Sequence, residues 1–85
     1  MPPFADVHPR LLRCYVTLAE ELHLGRAATR LCSSPAALAG HIAQLEDVLD
    51  RRLFIGTGAV ALTPSGLTLL ASAREALSGA VDEAA

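Results

Sequence analysis

The segment SSPAALAGH, residues 33–41, carries few side chains that can form hydrogen bonds, and they stand at its two ends. Ser33 and Ser34 open the segment and His41 closes it, with proline, alanine, leucine and glycine between them. Serine hydroxyls can cap a helix or hold an anion such as phosphate, and an imidazole can donate or accept a hydrogen bond. These groups suit contacts with a polar or anionic surface, whereas the residues between them offer apolar contacts only.

The positive charges of the chain are all arginines, and carboxylates outnumber them. Seven basic residues face nine acidic ones, which gives a net charge of −2. Domains that bind nucleic acid on their own are more often strongly basic, so this balance weighs against strong electrostatic attachment. The arginines best placed for phosphate contacts are Arg26, Arg30, Arg51 and Arg52. For Arg30 and Arg52, a surface ion pair with Glu20, Glu21 or Asp50 is the alternative interpretation.

No constellation for catalysis or metal binding is evident in the sequence. His8, His23 and His41 are not at metal-ligand spacing with one another or with Cys14 and Cys32. We find no carboxylate pair, nucleophile with a base, or glycine-rich phosphate loop, and we expect neither an enzyme nor a cofactor. Both cysteines are expected to be small buried residues of a reduced, cytoplasmic protein. The sequence shows neither the apolar core of a signal peptide nor a run of transmembrane length.

Hydrophobic spacing predicts a mainly α fold with one small core. Residues 1–8 show no periodic pattern and are predicted to form a flexible N-terminal arm. The predicted helices run from Pro9 to about residue 22, from 24 to 31, from Pro35 to Leu49, and from Pro64 onward. Ser34 and Thr63 are expected to cap the last two helices, each with a proline behind it. Residues 53–55 and 59–62, joined by a glycine-rich turn, predict a two-stranded wing.

This order of elements predicts a winged helix-turn-helix in residues 9–62, followed by a long helix in residues 63–83. The third predicted helix buries one stripe of apolar residues, namely Leu38, Ile42, Leu45 and Leu49. Helical geometry then directs a second set outward. This set consists of Ala36, Gly40, Ala43 and Asp47, flanked by Ala37 and His41.

Three stretches of the chain, LLRCYVTLAEELHLGRAATRL, LEDVLDRRLF and LTPSGLTLL, resemble the N-terminal domain of LysR-type transcriptional regulators. The landmarks are Ala27-Ala28, then Leu45-Glu46 with Leu53-Phe54, then Leu62-Thr63 with Gly66. The similarity spans roughly residues 9–79. It implies a DNA-binding domain that forms a homodimer through its last helix. In the family a sensor domain follows that helix, so we expect no small-molecule effector site within this chain.

The residues at the family's DNA-contacting positions are unusual in this chain. Where the family has glutamine, serine and a basic residue in its third helix, this sequence has Pro35, Ala39 and Gly40. The family's wing carries arginines, whereas the wing here is shorter and uncharged. The resemblance implies DNA contacts from Arg26, Arg30, Ser33, Ser34, Ala36, Ala37, Gly40, His41, Arg52 and Thr57. It implies dimer contacts from Leu67, Leu70, Ala73, Leu77 and Val81.

Two functions are therefore open at this point. The first is a LysR-like regulator that binds duplex DNA weakly as a dimer. The alternative is a degenerate module of the same fold that no longer reads DNA and serves protein interaction or dimerisation. Readout of bases needs groups such as arginine or glutamine, and only His41 supplies a hydrogen bond in the middle of the outward face. Gly40 has three open explanations: an unconstrained position, close approach of another helix, or avoidance of a clash with DNA.

Overall fold

The computed structural model describes residue 4 and residues 6–84, with their side chains up to residue 78. It has four helices and one two-stranded antiparallel sheet, in the order that the sequence predicts. The elements are α1 (Pro9–Glu21), α2 (Leu24–Arg30), α3 (Pro35–Leu49), β1 (Phe54–Thr57), β2 (Ala59–Leu62) and α4 (Pro64–Ala84). The predicted winged helix-turn-helix fold is thereby confirmed.

Helix α1 is the central element, and α2, α3 and α4 all pack against it. Its first turn is capped by His8, whose Nδ1 accepts a hydrogen bond from the Arg10 backbone N–H at 3.0 Å. It ends at Leu22, which has a left-handed backbone with φ of 53°. Because the helix is covered on several sides, seven of its eight buried residues are apolar or aromatic and only Thr17 is polar. These residues hold the other helices in fixed relative positions.

The turn between α2 and α3 brings the two helices close together. Ala27 and Ala28 are at most 1% exposed, which allows the neighbouring helices to approach closely. The Ser34 hydroxyl accepts a hydrogen bond from the Ala37 backbone N–H at 3.1 Å, so the predicted cap of α3 is confirmed. Leu38 and Leu45 are fully buried and anchor α3 against the core.

The wing is attached to the start of α2 as well as to its own partner strand. In the sheet, Ile55 pairs with Ala61. On the outer edge of β2, the Val60 N–H donates to the Leu22 carbonyl oxygen at 3.1 Å. The Leu24 N–H donates to the Gly58 carbonyl oxygen at 2.7 Å. These bonds satisfy backbone groups that an isolated hairpin would expose, so the position of the wing is tied to the helix-turn-helix.

The start of the chain departs from the prediction of a flexible arm over residues 1–8. Phe4 is 3% exposed and packs against Tyr15 with ring centroids 6.1 Å apart. Tyr15 in turn meets Phe54 edge to face, with centroids 5.8 Å apart. Burial of an aromatic ring stabilises a fold more than burial of most other side chains does. Phe4 therefore packs against the core although the residues around it show no helical periodicity. Residues 1–3 and 5 lie outside the described part of the chain.

The prediction that both cysteines are buried is correct for Cys14 and wrong for Cys32. Cys14 lies on the inner side of α1, whereas Cys32 is exposed in the turn before α3. Its backbone has φ of 53°, a left-handed conformation that ends α2 and turns the side chain away from the core. Both are free thiols.

Helix α4 packs on α1 through part of the surface that the sequence assigns to dimerisation. Leu70 is 8% exposed and Ala73 is fully buried, and the half-buried Leu77 packs against the same core. These residues lie on one side of α4 because their spacing follows the helical repeat. Their assignment as dimer contacts is therefore wrong for Leu70 and Ala73, which the domain itself covers. The side chain of Val81 lies outside the described residues.

The only tyrosine of the chain links α1 to α4, and it predicts a loss of stability at high pH. The Tyr15 hydroxyl donates to the Gly66 carbonyl oxygen, and burial raises the pKa of Tyr15 to about 12. Because the folded state holds this proton more tightly than the unfolded state, the free energy of unfolding should fall as pH rises from 10 to 12. The expected loss is about 2–3 kcal/mol.

Urea unfolding at pH 9, 10, 11 and 12, followed by circular dichroism, would measure this loss, about half of which should be present at pH 11. The absorbance of the single tyrosinate would report the titration directly, since the chain contains no tryptophan. Tyr15→Phe is the matched control, because it keeps the ring and removes the titrating group. A wild-type protein whose stability falls no more steeply than that of Tyr15→Phe would contradict the prediction.

Candidate nucleic-acid interface

The outer face of α3 is exposed in the described part of the chain. Ala36, Ala37, Ala39, Gly40 and Ala43 are all exposed. A Cβ atom added to Gly40 would meet no atom of the described structure within 4 Å. Close approach of another helix of the same chain therefore does not explain the glycine. The first half of this face therefore presents small residues to solvent, and Asp47 follows them near its end.

The polar groups at the two ends of this face have different environments. Ser34 is occupied as the cap of α3. Ser33 is exposed beside it, held by a backbone hydrogen bond from its N–H to the Ala28 carbonyl oxygen at 2.9 Å. His41 is half-buried, with its Nδ1 atom 3.8 Å from the Cys14 sulfur. The ring thus bridges α3 to α1, a contact that could not be predicted because the two residues lie far apart in the chain.

The predicted phosphate contacts on α2 are already paired with carboxylates. One Arg30 nitrogen lies 3.0 Å from Glu20 and 3.1 Å from Glu21. Its hydrogen bonds to these two carboxylates raise the pKa of Arg30. Arg26 lies 3.6 Å from Glu21. Of the two interpretations open for Arg30, the ion pair is the one observed. A DNA phosphate would have to compete with Glu20 and Glu21 for the Arg30 guanidinium.

Arg52 stands at the base of the wing beside a structural carboxylate. Glu46 Oε2 accepts hydrogen bonds from the backbone N–H groups of Leu53 at 2.7 Å and Phe54 at 3.3 Å. The same oxygen is 3.8 Å from the Arg52 guanidinium. Arg52 therefore pairs with Glu46 and not with the predicted Asp50. Glu46 thereby fixes the wing relative to α3, while Arg52 and Thr57 remain exposed for contact with a partner.

Two cations near the α3 face were missed by the sequence analysis. A cavity of about 600 Å³ separates the start of α1 from the turn before α3, and Arg10 and Arg13 line it together with Ser33 and His41. Both arginines occupy polar positions of α1, where the hydrophobic pattern gives no indication of what they face. Only the packing of α1 across α3 brings them to the predicted interface.

The family described as "Bacterial regulatory helix-turn-helix protein, lysR family" matches residues 9–67. The chain belongs to the LysR family. Its resemblance to LysR-type regulators, inferred from three stretches of sequence, is confirmed.

Relatives and solved structures of LysR-type proteins agree with this assignment. The HTH-type transcriptional regulator XapR of Escherichia coli is 45% identical over 69 residues, which cover 80% of this chain and 24% of XapR. The DNA-binding domain of BenM, solved in a benA site 1 DNA complex, matches with a TM-score of 0.82 and 30% identity, covering 92% of this chain and 89% of that one. The CbnR domain, solved in a DNA complex, matches with a TM-score of 0.85 and 26% identity, covering 92% and 91% of the two chains.

The chain spans about a quarter of the length of the curated LysR-type relatives it matches. The compared region is the helix-turn-helix domain, and the named relatives are transcriptional regulators. Within the described part of the chain, no helix is both long and apolar enough to cross a bilayer.

Proposed function

We propose that this LysR-family domain binds duplex DNA and regulates transcription, with α3 entering the major groove. The observation that carries the proposal is the outer face of α3, which is exposed, with open space at Gly40, in a fold shared with DNA-bound relatives. Ser33, Ser34, Ala36, Ala37, Gly40 and His41 lie along that face or at its ends. Ala36 and Ala37 suit contact with thymine methyl groups, and His41 suits one hydrogen bond to a base edge.

Electrostatics support binding that is weak and only modestly dependent on salt. Arg26 and Arg30 are paired with carboxylates, and Arg52 lies near Glu46. Each phosphate neutralised on duplex DNA contributes about 0.9 to the slope of log K against log salt concentration. Few free cations per protomer therefore give a small slope and a modest affinity. We place this activity in the cytoplasm and propose no enzymatic role for the domain.

Binding to a random duplex at low salt tests the proposal most directly. We expect a complex at about 50 mM salt that dissociates as salt rises, because non-specific attachment depends on phosphate contacts. Fluorescence anisotropy of a labelled duplex, titrated with the protein at several salt concentrations, would give both affinity and slope. The absence of any complex at about 50 mM would refute DNA binding and leave a module for protein interaction. No observation on the described residues favours that alternative.

We further propose that the domain forms a homodimer through the outward side of α4. Leu67 is 66% exposed, and Ala71, Arg74 and Ser78 follow it at spacings of four, three and four residues. This spacing forms one continuous stripe along a helix, on the side turned away from Leu70 and Ala73. An exposed leucine at the head of such a stripe supports a contact with a second copy.

Leu67→Glu should convert the dimer to a monomer, because it buries a charge at the most apolar position of the proposed contact. The fold should be retained, since Leu67 makes little contact with the core and surface substitutions change stability by about 0.5 kcal/mol or less. Sedimentation equilibrium measures the mass, and Thr68→Glu, exposed at the next position, is the control. A dimer that survives Leu67→Glu would place the contact elsewhere. Leu77→Glu is a poorer test, because Leu77 also packs against the core.

A further inference from the structure

The cavity between the start of α1 and the turn before α3 is lined by basic and polar groups. Arg10 and Arg13 project from α1, and Ser33 and His41 come from the turn and from α3. Arg30 also lines the cavity, but Glu20 and Glu21 neutralise it. Neither aspartate nor glutamate is among the described residues that line it. Its volume of about 600 Å³ admits a phosphate group with part of its sugar.

Arg10 and Arg13 are the cations of this region that remain available. Among the described residues, neither lies within 4 Å of a carboxylate, whereas Arg26, Arg30 and Arg52 each do. The positive charges of both arginines also act on Cys14, which lines the cavity. Burial raises the pKa of the Cys14 thiol, and the charges of Arg10 and Arg13 partly offset that rise. Two like charges held around one open cavity are stabilised by an anion that accepts hydrogen bonds from both.

The position of the cavity identifies the anion. Its wall shares Ser33 and His41 with the outer face of α3, so a duplex seated on that face would carry its backbone past the cavity. We propose that Arg10 and Arg13, with Ser33 on the opposite wall, bind one backbone phosphate of duplex DNA beside the groove that α3 enters. This inference rests on the proposed function and adds α1 as a second anchor of the domain on DNA.

A phosphate carried by a duplex fits this site better than a small free anion does. Both arginine side chains are exposed and the cavity opens to solvent, so a free ion would stay largely hydrated. A phosphate delivered by a duplex already bound to α3 has a high effective concentration at the cavity. The contact is independent of base sequence and fixes the orientation of α3 in the groove.

The double variant Arg10→Gln, Arg13→Gln tests the inference in the salt titration on random duplex DNA. The dimer should lose two phosphate contacts, one per protomer, and the slope of log K against log salt should fall by about 1.8. The double variant Arg10→Lys, Arg13→Lys keeps the charges and should retain most of the slope. Glu75→Gln removes one charge on α4, away from the cavity and outside the proposed dimer stripe, and should leave the slope unchanged. Sedimentation confirms that each variant keeps the wild-type mass.

The outcomes separate this inference from the function on which it rests. A wild-type chain that binds no DNA at about 50 mM salt overturns both. A wild-type chain that binds DNA, with an Arg10→Gln, Arg13→Gln variant of unchanged slope, overturns the phosphate contact alone. Inorganic phosphate is the remaining probe. If it raises the melting temperature of the wild type but not of the variant, and the variant keeps the wild-type slope of log K against log salt, the cavity binds a small free anion. The proposal is then wrong.

Discussion

Gly66→Ala is expected to destabilise the domain by about 3 kcal/mol or more. A Cβ atom at this position would overlap the Leu53 carbonyl oxygen, and it would lie 3.0 Å from the Leu53 carbonyl carbon and 3.1 Å from Leu62 Cδ2. The overlapping atoms belong to the backbone of Leu53, so no rotation of a side chain relieves the overlap. Helix α4 would have to move away from the start of the wing.

Moving α4 would also break bonds that converge on the same residue. The Gly66 carbonyl oxygen accepts the Tyr15 hydroxyl, and its N–H donates to Thr63 Oγ1 at 3.0 Å. The Thr63 N–H donates to the Leu53 carbonyl oxygen at 2.9 Å. Leaving the buried Tyr15 hydroxyl without a partner costs about 1–3 kcal/mol by itself. Gly66 is therefore the position where the core, the wing and α4 are joined.

Thermal unfolding followed by circular dichroism measures the effect. For a domain of this size, about 3 kcal/mol corresponds to a fall of at least about 10 °C in Tm. Gly40→Ala is the matched control: it makes the same substitution within a helix, meets open space, and should raise stability by up to about 1 kcal/mol. Tyr15→Phe should show a smaller loss, since it removes the hydrogen bond and leaves the backbone in place. Equal Tm values for Gly66→Ala and Gly40→Ala would contradict the account.

Elements with strong local signals could be predicted from the sequence. Apolar spacing and the caps at Ser34 and Thr63 place α3 and α4, because a capped amphipathic helix depends on residues close in sequence. The same holds for the wing, whose hairpin contains Gly56 in β1 and Gly58 in the turn, with φ of +106° and +72°. Such conformations favour glycine over residues with a side chain.

Features that depend on packing between distant segments could not be predicted. The spacing of Leu70 and Ala73 fits a contact with a second subunit as well as it fits a contact with α1, and only the fold decides between them. The same limit applies to Arg10 and Arg13, whose nearness to His41 depends on how α1 crosses α3. Phe4 precedes every periodic pattern, and its burial follows from the space beside Tyr15.

Gly40→Arg is expected to increase the affinity for duplex DNA about tenfold or more. The site is exposed with no neighbour within 4 Å, so a long side chain fits without displacing the fold. It lies in the middle of the α3 face, one residue before His41, where the resemblance to the LysR family implies a basic residue. A guanidinium there could bind a phosphate or a guanine edge, worth about 1–3 kcal/mol for a good bidentate contact. A dimer would gain the contact twice.

Three substitutions at this one position separate charge from helix stability. Ala, Arg and Glu all remove the glycine and should raise the melting temperature by similar amounts, because all three favour helices. Their affinities for random duplex DNA should diverge, with Arg above Ala and Glu below it, and the spread should shrink as salt screens the charges. If the three bind alike at about 50 mM salt, the outer side of α3 does not face the duplex. The small-residue face would then have no part in DNA recognition, even though the fold around it is intact.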